Sequence, residues 1–151
     1  MDPQTFDTLI LNAIDEEIAA ARFYREAAQR MQAPSVRDIF EQLAADECHH
    51  RDTLETFRFN PLARLEFEHV VDYHVSEMET MPSLSFEMSP REAFQLAMKK
   101  EEQALRAYTC MAEGCRDSEM RRIYFELAEM ERAHKARLEE LFVNAACPEV
   151  W

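Results

Sequence analysis

A chain of 151 residues, 47% hydrophobic and 31% charged, is long enough to bury one full core and too apolar to be disordered. Thirty acidic side chains against 17 basic ones give a formal net charge of −13, which argues against nucleic acid or an anionic membrane as a partner. A single glycine, Gly114, and six prolines leave little turn chemistry for hairpins, so composition points to an all-α chain, read as one domain over residues 1–151.

Four amphipathic segments follow in order. The first runs from about Gln4 to Met31, with Ile10, Ile14, Glu17, Ala21, Tyr24, Ala28 and Met31 recurring at steps of three and four. Pro34 ends it, and Ser35 followed by Asp38 reads as a cap for the second. That helix carries Val36, Ile39, Phe40, Leu43, Glu47, His50, Leu54 and Phe57 on one stripe. The third opens at Ser89-Pro90-Arg91-Glu92, a capping box with proline at the first helical position. It presents Phe94, Ala97, Met98, Glu101, Leu105, Tyr108 and Ala112, then stops around Gly114. Asp117 or Ser118 caps the fourth, which turns Met120, Ile123, Tyr124, Leu127, Glu131, His134, Leu138 and Leu141 inward.

Short connections join helices one and two, and three and four, so each pair is antiparallel. The segment from Asn60 to Met88 is long enough to cross the full length of a four-helix bundle. A further helix over Leu65 to Val75 is compatible with its sequence but not demanded by it.

An internal repeat singles out the functional residues. Displaced by 84 positions, residues 13–60 align on 97–144 without a gap and with 15 identities, where chance gives about three at typical residue frequencies. Glu17 falls on Glu101, Tyr24 on Tyr108, Glu47 on Glu131 and His50 on His134. One Glu-x-x-His in an acidic helix is ordinarily a solvated ion pair. Four acids and two histidines recurring on the inward stripe are not, because buried carboxylates are costly without protons, cations or metal beside them.

Three residues along a helix is about 300° of turn and about 4.5 Å of rise, so Glu47 and His50 point to one side. One Glu from each of helices one and three, with a Glu-x-x-His from each of helices two and four, is the ligand set of a carboxylate-bridged di-metal site. Four carboxylates neutralise two divalent cations. Oxygen ligands with one imidazole per metal suit iron or manganese, with zinc able to intrude. Glu47 and Glu131 are the expected bridges, holding the metals roughly 3.5–4 Å apart.

The stretches EEIAAARFYREAA, FEQLAADECHHRDTLE, EEQALRAYTCMAEGC and FELAEMERAHKARLEE resemble the rubrerythrin branch of the ferritin-like superfamily. The resemblance implies a ferritin-like bundle of two antiparallel helix pairs joined by a long crossover. It makes Glu17, Glu47, His50, Glu101, Glu131 and His134 ligands of two irons, with Tyr24 and Tyr108 beside them. It also implies chemistry on hydrogen peroxide or dioxygen, or on Fe(II) itself, and a homodimer.

Three departures qualify what the family implies. Rubrerythrins proper carry an extra glutamate one turn beyond the third-helix ligand, where this chain has Ala104. They usually carry a rubredoxin domain with paired C-x-x-C motifs, which this sequence lacks, so electrons are expected from a separate donor protein. Bacterioferritin places a haem-binding methionine after the second-helix Glu; Cys48 stands there instead, so no haem is expected.

Smaller features have plainer readings. Asp46 is placed to reach His134 across the bundle and fix its tautomer, whereas Met130, its repeat partner, is not. His49 lies about 100° round the helix from its neighbours, and His69 and His74 read as surface histidines. The cysteines Cys48, Cys110, Cys115 and Cys147 form no C-x-x-C pair, consistent with ordinary thiols in a reduced compartment. Ala20, Ala21, Ala27 and Ala28 allow close helix approach or room for a small oxidant. With no signal sequence or apolar span evident, a cytoplasmic location is expected. Three functions fit: a di-iron oxidoreductase, a ferroxidase for iron storage or transfer, and a non-catalytic di-metal bundle.

Overall fold

The structure, a computed structural model, describes residues 1–60, 65, 67 and 70–146. Four helices account for most of it: α1 (Pro3–Arg30), α2 (Pro34–Phe59), α3 (Pro90–Gly114) and α4 (Ser118–Ala146), with one 3₁₀ turn at Ser76–Met78. No strand occurs among the described residues, and no helix there is long and apolar enough to cross a membrane. The architecture is the ferritin-like four-helix bundle.

The helix starts follow local chemistry. Asp2 accepts a hydrogen bond from the Thr5 amide at 3.0 Å, with Pro3 leading α1. Ser89 caps α3, its Oγ accepting from the Glu92 amide at 3.2 Å and donating to the Glu92 carboxylate at 3.1 Å. Of the two candidates before α4, Asp117 is the cap, accepting from the Met120 amide at 2.8 Å. The expected Ser35 cap is not found. Pro34 is itself the first residue of α2, where its fixed φ suits a helix start, and Ala33 stands at the cap position without a side-chain bond. The α1–α2 turn is held from outside instead, by Gln32 N–H donating to the Phe86 carbonyl at 3.0 Å and Arg37 to the Met31 carbonyl at 3.1 Å.

Two apolar clusters fill the ends of the bundle. One packs Tyr24, Met31, Phe40, Leu43, Met98, Leu138 and Phe142; the other packs Ile10, Ile14, Leu54, Phe57, Leu105, Ile123 and Leu127. Each cluster draws on all four helices, which requires α1 to run with α4 and α2 with α3. The inward stripes hold except at the end of α4, where Leu141 is exposed and Phe142 turns in.

The crossover spans the bundle's length. Leu65 belongs to the cluster near the C-terminus of α2, while Phe86 and Met88 pack at the opposite end. None of the described residues from Leu65 to Val75 is helical; His69 and Cys147 lie outside the described residues. The crossover docks through charge as well as through these apolar contacts. Fully buried Lys135 of α4 meets Asp72 Oδ1 at 2.8 Å, Glu77 Oε1 at 2.8 Å and Glu139 Oε1 at 3.1 Å. The Ser76 amide donates to Glu139 at 2.7 Å and its hydroxyl to Glu102 at 2.9 Å. Breaking a buried charge network by removing one partner is strongly destabilising. Lys135→Met is therefore expected to lower the unfolding free energy of the metal-free protein by about 3 kcal/mol in urea titration. A loss below about 0.5 kcal/mol would show that the crossover docks without this ammonium.

Candidate metal centre

Between the two apolar clusters lies a polar layer made of α1 residue Glu17, α2 residues Glu47 and His50, α3 residue Glu101, and α4 residues Glu131 and His134. The four glutamates and His134 are buried, and His50 is nearly so, with 15% of its side chain accessible. All six residues expected from the repeat are thus brought to one place.

The contacts form two halves sharing a middle. His50 Nδ1 lies 3.4 Å from Glu17 Oε2 and 3.6 Å from Glu47 Oε2. His134 Nδ1 lies 3.1 Å from Glu101 Oε1 and 3.6 Å from Glu47 Oε1. Glu47 therefore presents one oxygen to each histidine, as a bridging carboxylate does. Ligand atoms of Glu17, His50 and Glu131 lie within 4.8 Å of one another, as do those of Glu47, His50 and His134. The imidazole centroids are 4.7 Å apart, the rings nearly perpendicular.

Asp46 takes the place the sequence assigns it. Its Oδ2 lies 3.5 Å from His134 Nε2 and its Oδ1 accepts from Gln42 at 2.9 Å, which leaves His134 Nδ1 facing the glutamates. Met130, at the equivalent position, is buried in the apolar cluster. Tyr24 and Tyr108 border the same cavity as Glu17 and Glu101, and Tyr24 is also packed against Phe23 and Phe40. Cys48 faces Arg25, at 3.7 Å.

Protonation reflects crowding. Burial, with the charges of Glu131 and Glu47 added, pushes Glu17 up to about 10 against the pull of His50. Burial and the same two neighbours push Glu101 well above the usual carboxylate range. Burial also works to raise Glu47, but the close approach of His50 and Glu17 and the charge of His134 outweigh it and hold it low. His50, despite its burial, is driven well above the ordinary histidine range by Glu17 and Glu47. Tyr24 and Tyr108 are pushed up by burial and then by the surrounding carboxylates.

The donor set fits two divalent cations. Glu47 Oε1, His50 Nδ1 and both ring nitrogens of His134 are buried without a hydrogen-bond partner, at a cost of roughly 1–3 kcal/mol per orphaned group. Cations between the carboxylates would satisfy Glu47 Oε1 and the two Nδ1 atoms, leaving His134 Nε2 to Asp46, and would neutralise four negative charges together. A third acidic grouping, Asp72, His74 and Glu77, differs: two of its carboxylates already share the Lys135 ammonium, and His74 is largely exposed.

The rubrerythrin family model matches residues 8–142. This chain belongs to the rubrerythrin family. Rubrerythrins bind di-iron centres, and the groups just described are this chain's candidates for holding one. Among solved structures, the hypothetical protein Pfu-1136390-001 from Pyrococcus furiosus is similar, with a TM-score of 0.53 over 97% of this chain and 93% of that one. At 24% identity that likeness is one of fold. A search of curated proteins gave no match.

The sequence does not single out the buried set around Lys135, Glu139, Glu102 and Ser76. Glu139 is the repeat partner of Glu55, so identity at that position reads as a solvated face, yet only Glu139 is buried. The one available signal is the spacing of Lys135 and Glu139, four residues apart on a helix.

Two expectations test the centre. Glu17 and His50 both hold protons in the folded, metal-free state that the unfolded chain has released at the same pH. The unfolded state then binds fewer protons, so stability falls as pH rises. Melting temperature of the metal-free protein is expected to drop between about pH 5 and about pH 9, and a divalent metal to restore it while releasing protons measurable in weakly buffered solution. Metal binding with no proton release would contradict the assignment. Asp46→Asn is expected to weaken metal binding about 10–100-fold, read by competition with a chromophoric chelator.

Proposed function

We propose that this rubrerythrin-family protein is a non-haem di-iron oxidoreductase that reduces hydrogen peroxide or dioxygen with electrons from a separate protein. One observation carries the reading: two histidine Nδ1 atoms and four buried glutamates converge on one layer, which a cavity between α1 and α3 reaches from the surface. A structural metal is ordinarily closed off from solvent, whereas a reactive one keeps a path to its substrate. Iron bound here would supply reversible one-electron couples and Lewis acidity.

This chain's own residues do the rest. Glu17 and Glu101 stand on the cavity side, each paired with one histidine, and are the carboxylates an entering molecule meets. For peroxide the balance is two electrons and two protons added, the O–O bond broken, and two waters formed. The protons come from water admitted by the cavity, because carboxylates that hold a metal carry none. Tyr24 and Tyr108, both kept neutral at ordinary pH, border the cavity floor as hydrogen-bond donors. Asp46 fixes His134 from outside. The alanines Ala20 and Ala104 leave the approach open.

Protein purified without air and loaded with about two irons per chain is expected to lose its ferrous state rapidly on mixing with peroxide. Glu47→Ala, which removes the carboxylate shared by both histidines, should abolish that bleach in stopped flow. Iron inert to both peroxide and dioxygen would leave a non-catalytic di-metal bundle. Oxidation of many Fe(II) ions per site would make it a ferroxidase.

A further inference from the structure

The cavity over the metal layer is far larger than peroxide or dioxygen requires. Its volume is about 510 Å³, within the range of pockets that hold organic ligands, while a water-sized molecule occupies about 30 Å³. Between the glutamates of its floor and the polar Glu16 and Gln103 at its edge, it is lined by an apolar strip: Ala20 and Phe23 from α1, and Ala104, Ala107 and Met111 from α3, the last two exposed at the mouth. Ala104 stands one turn beyond Glu101, and its short side chain leaves the floor accessible.

The rim carries a cation that pairs with no carboxylate among the described residues. Lys100 lines the cavity and is half-buried, its ammonium 4.0 Å from the centroid of the Phe23 ring. No salt bridge to Lys100 occurs among the described residues, although the acidic side chains outnumber the basic ones by 30 to 17. Glu16, its repeat partner, lines the same cavity without pairing to it. A lysine held over an aromatic ring beside an apolar shaft offers a seat for an anion whose body is hydrocarbon.

We propose that this cavity binds a small organic anion, its carboxylate on Lys100 and its apolar body lying between the alanines towards Glu17 and Glu101. The inference rests on the di-metal reading of the site, because two divalent cations cancel the four carboxylates that would otherwise repel an anion. It names the class of molecule brought to that site and is independent of whether the metal is redox-active.

Zinc-loaded protein, which has no redox chemistry, separates the two readings. Isothermal titration with octanoate, octanol and octylamine is expected to show one octanoate per chain, bound at least about tenfold more tightly than octylamine, a difference of about 1.4 kcal/mol. Lys100→Gln should erase that preference, and Ala107→Trp, which fills the shaft, should weaken octanoate at least about tenfold; both should retain the wild-type zinc content. Binding of none of the three, preference for octylamine, or unaltered octanoate binding by Lys100→Gln would overturn the proposal. So would a dimer in sedimentation that Ala107→Trp disrupts while octanoate binding is unchanged, since a second copy would then cover this face. Octanoate binding by a protein whose iron is inert to peroxide would defeat the oxidoreductase reading and leave this one standing. Failure to hold zinc would defeat both.

Discussion

Four glutamates buried in one layer of a helical bundle are the constraint on which the rest of this structure turns. Each carboxylate taken from water loses several kcal/mol of solvation, and like charges at these separations raise that further. Apolar clusters close the layer from both ends of the bundle, leaving water only the openings between α1 and α3 and between α2 and α4. The rest of the relief comes from protons or from cations. The metal-free site takes the first course, with Glu17 and Glu101 raised and Glu47 held low by the histidines. Two divalent cations would take the second, at matching charge. The aliphatic packing above and below, at about 1.5–3 kcal/mol for each fully buried Leu or Ile, is what allows so costly a layer to exist.

The duplication in the sequence builds the two halves of this layer alike and leaves their surroundings different. Glu17 and Glu101 each meet one histidine, and His50 and His134 each turn Nδ1 inward. Beyond those atoms the symmetry fails. Asp46 backs His134, whereas Met130 stands at the corresponding place in the other half. Arg51 pairs with Asp52 at the surface, while its counterpart Lys135 is fully buried beneath the crossover. The crossover is the cause of much of this. It exists once, docks on α3 and α4, and forces the second half to bury charges that the first half leaves in water. A carboxylate 3.5 Å behind one histidine and not the other would make that imidazole the more basic donor, so two cations held here would meet unequal surroundings despite matching ligand types.

The parts of the fold that repeat at 3.6 residues were legible from the sequence. Ile10, Ile14, Leu43, Leu54 and Leu127 are core residues because burial acts on every turn of a long helix. The candidate site was legible for the opposite reason: Glu47 and His50 violate that pattern, and a violation repeated 84 residues later needs a physical cause. What escaped was decided by single contacts. Ser35 is a good cap residue, but Pro34 starts the helix one position earlier. Leu141 and Phe142 compete for one inward direction at the end of α4, and the larger ring occupies it. The seat of the crossover on Lys135 depends on Asp72, Glu77 and Glu139 arriving from three places in the chain; no local pattern encodes that.

The approach to the layer also differs by side. Between α2 and α4 a cleft of about 470 Å³ reaches the histidines, with Asp46 and Gln42 among its walls. Between α1 and α3 the larger opening reaches Glu17 and Glu101. A histidine backed by a carboxylate is fixed in orientation, and His134 is further confined by its burial. A glutamate has three side-chain torsions and can alter its coordination with little disturbance to the helix. A molecule entering between α1 and α3 therefore meets the glutamates first, and one entering from the other face meets the histidines. The alanines lie on the first route, so a small molecule has the freer approach there, while the α2–α4 face carries the contacts that hold the imidazoles.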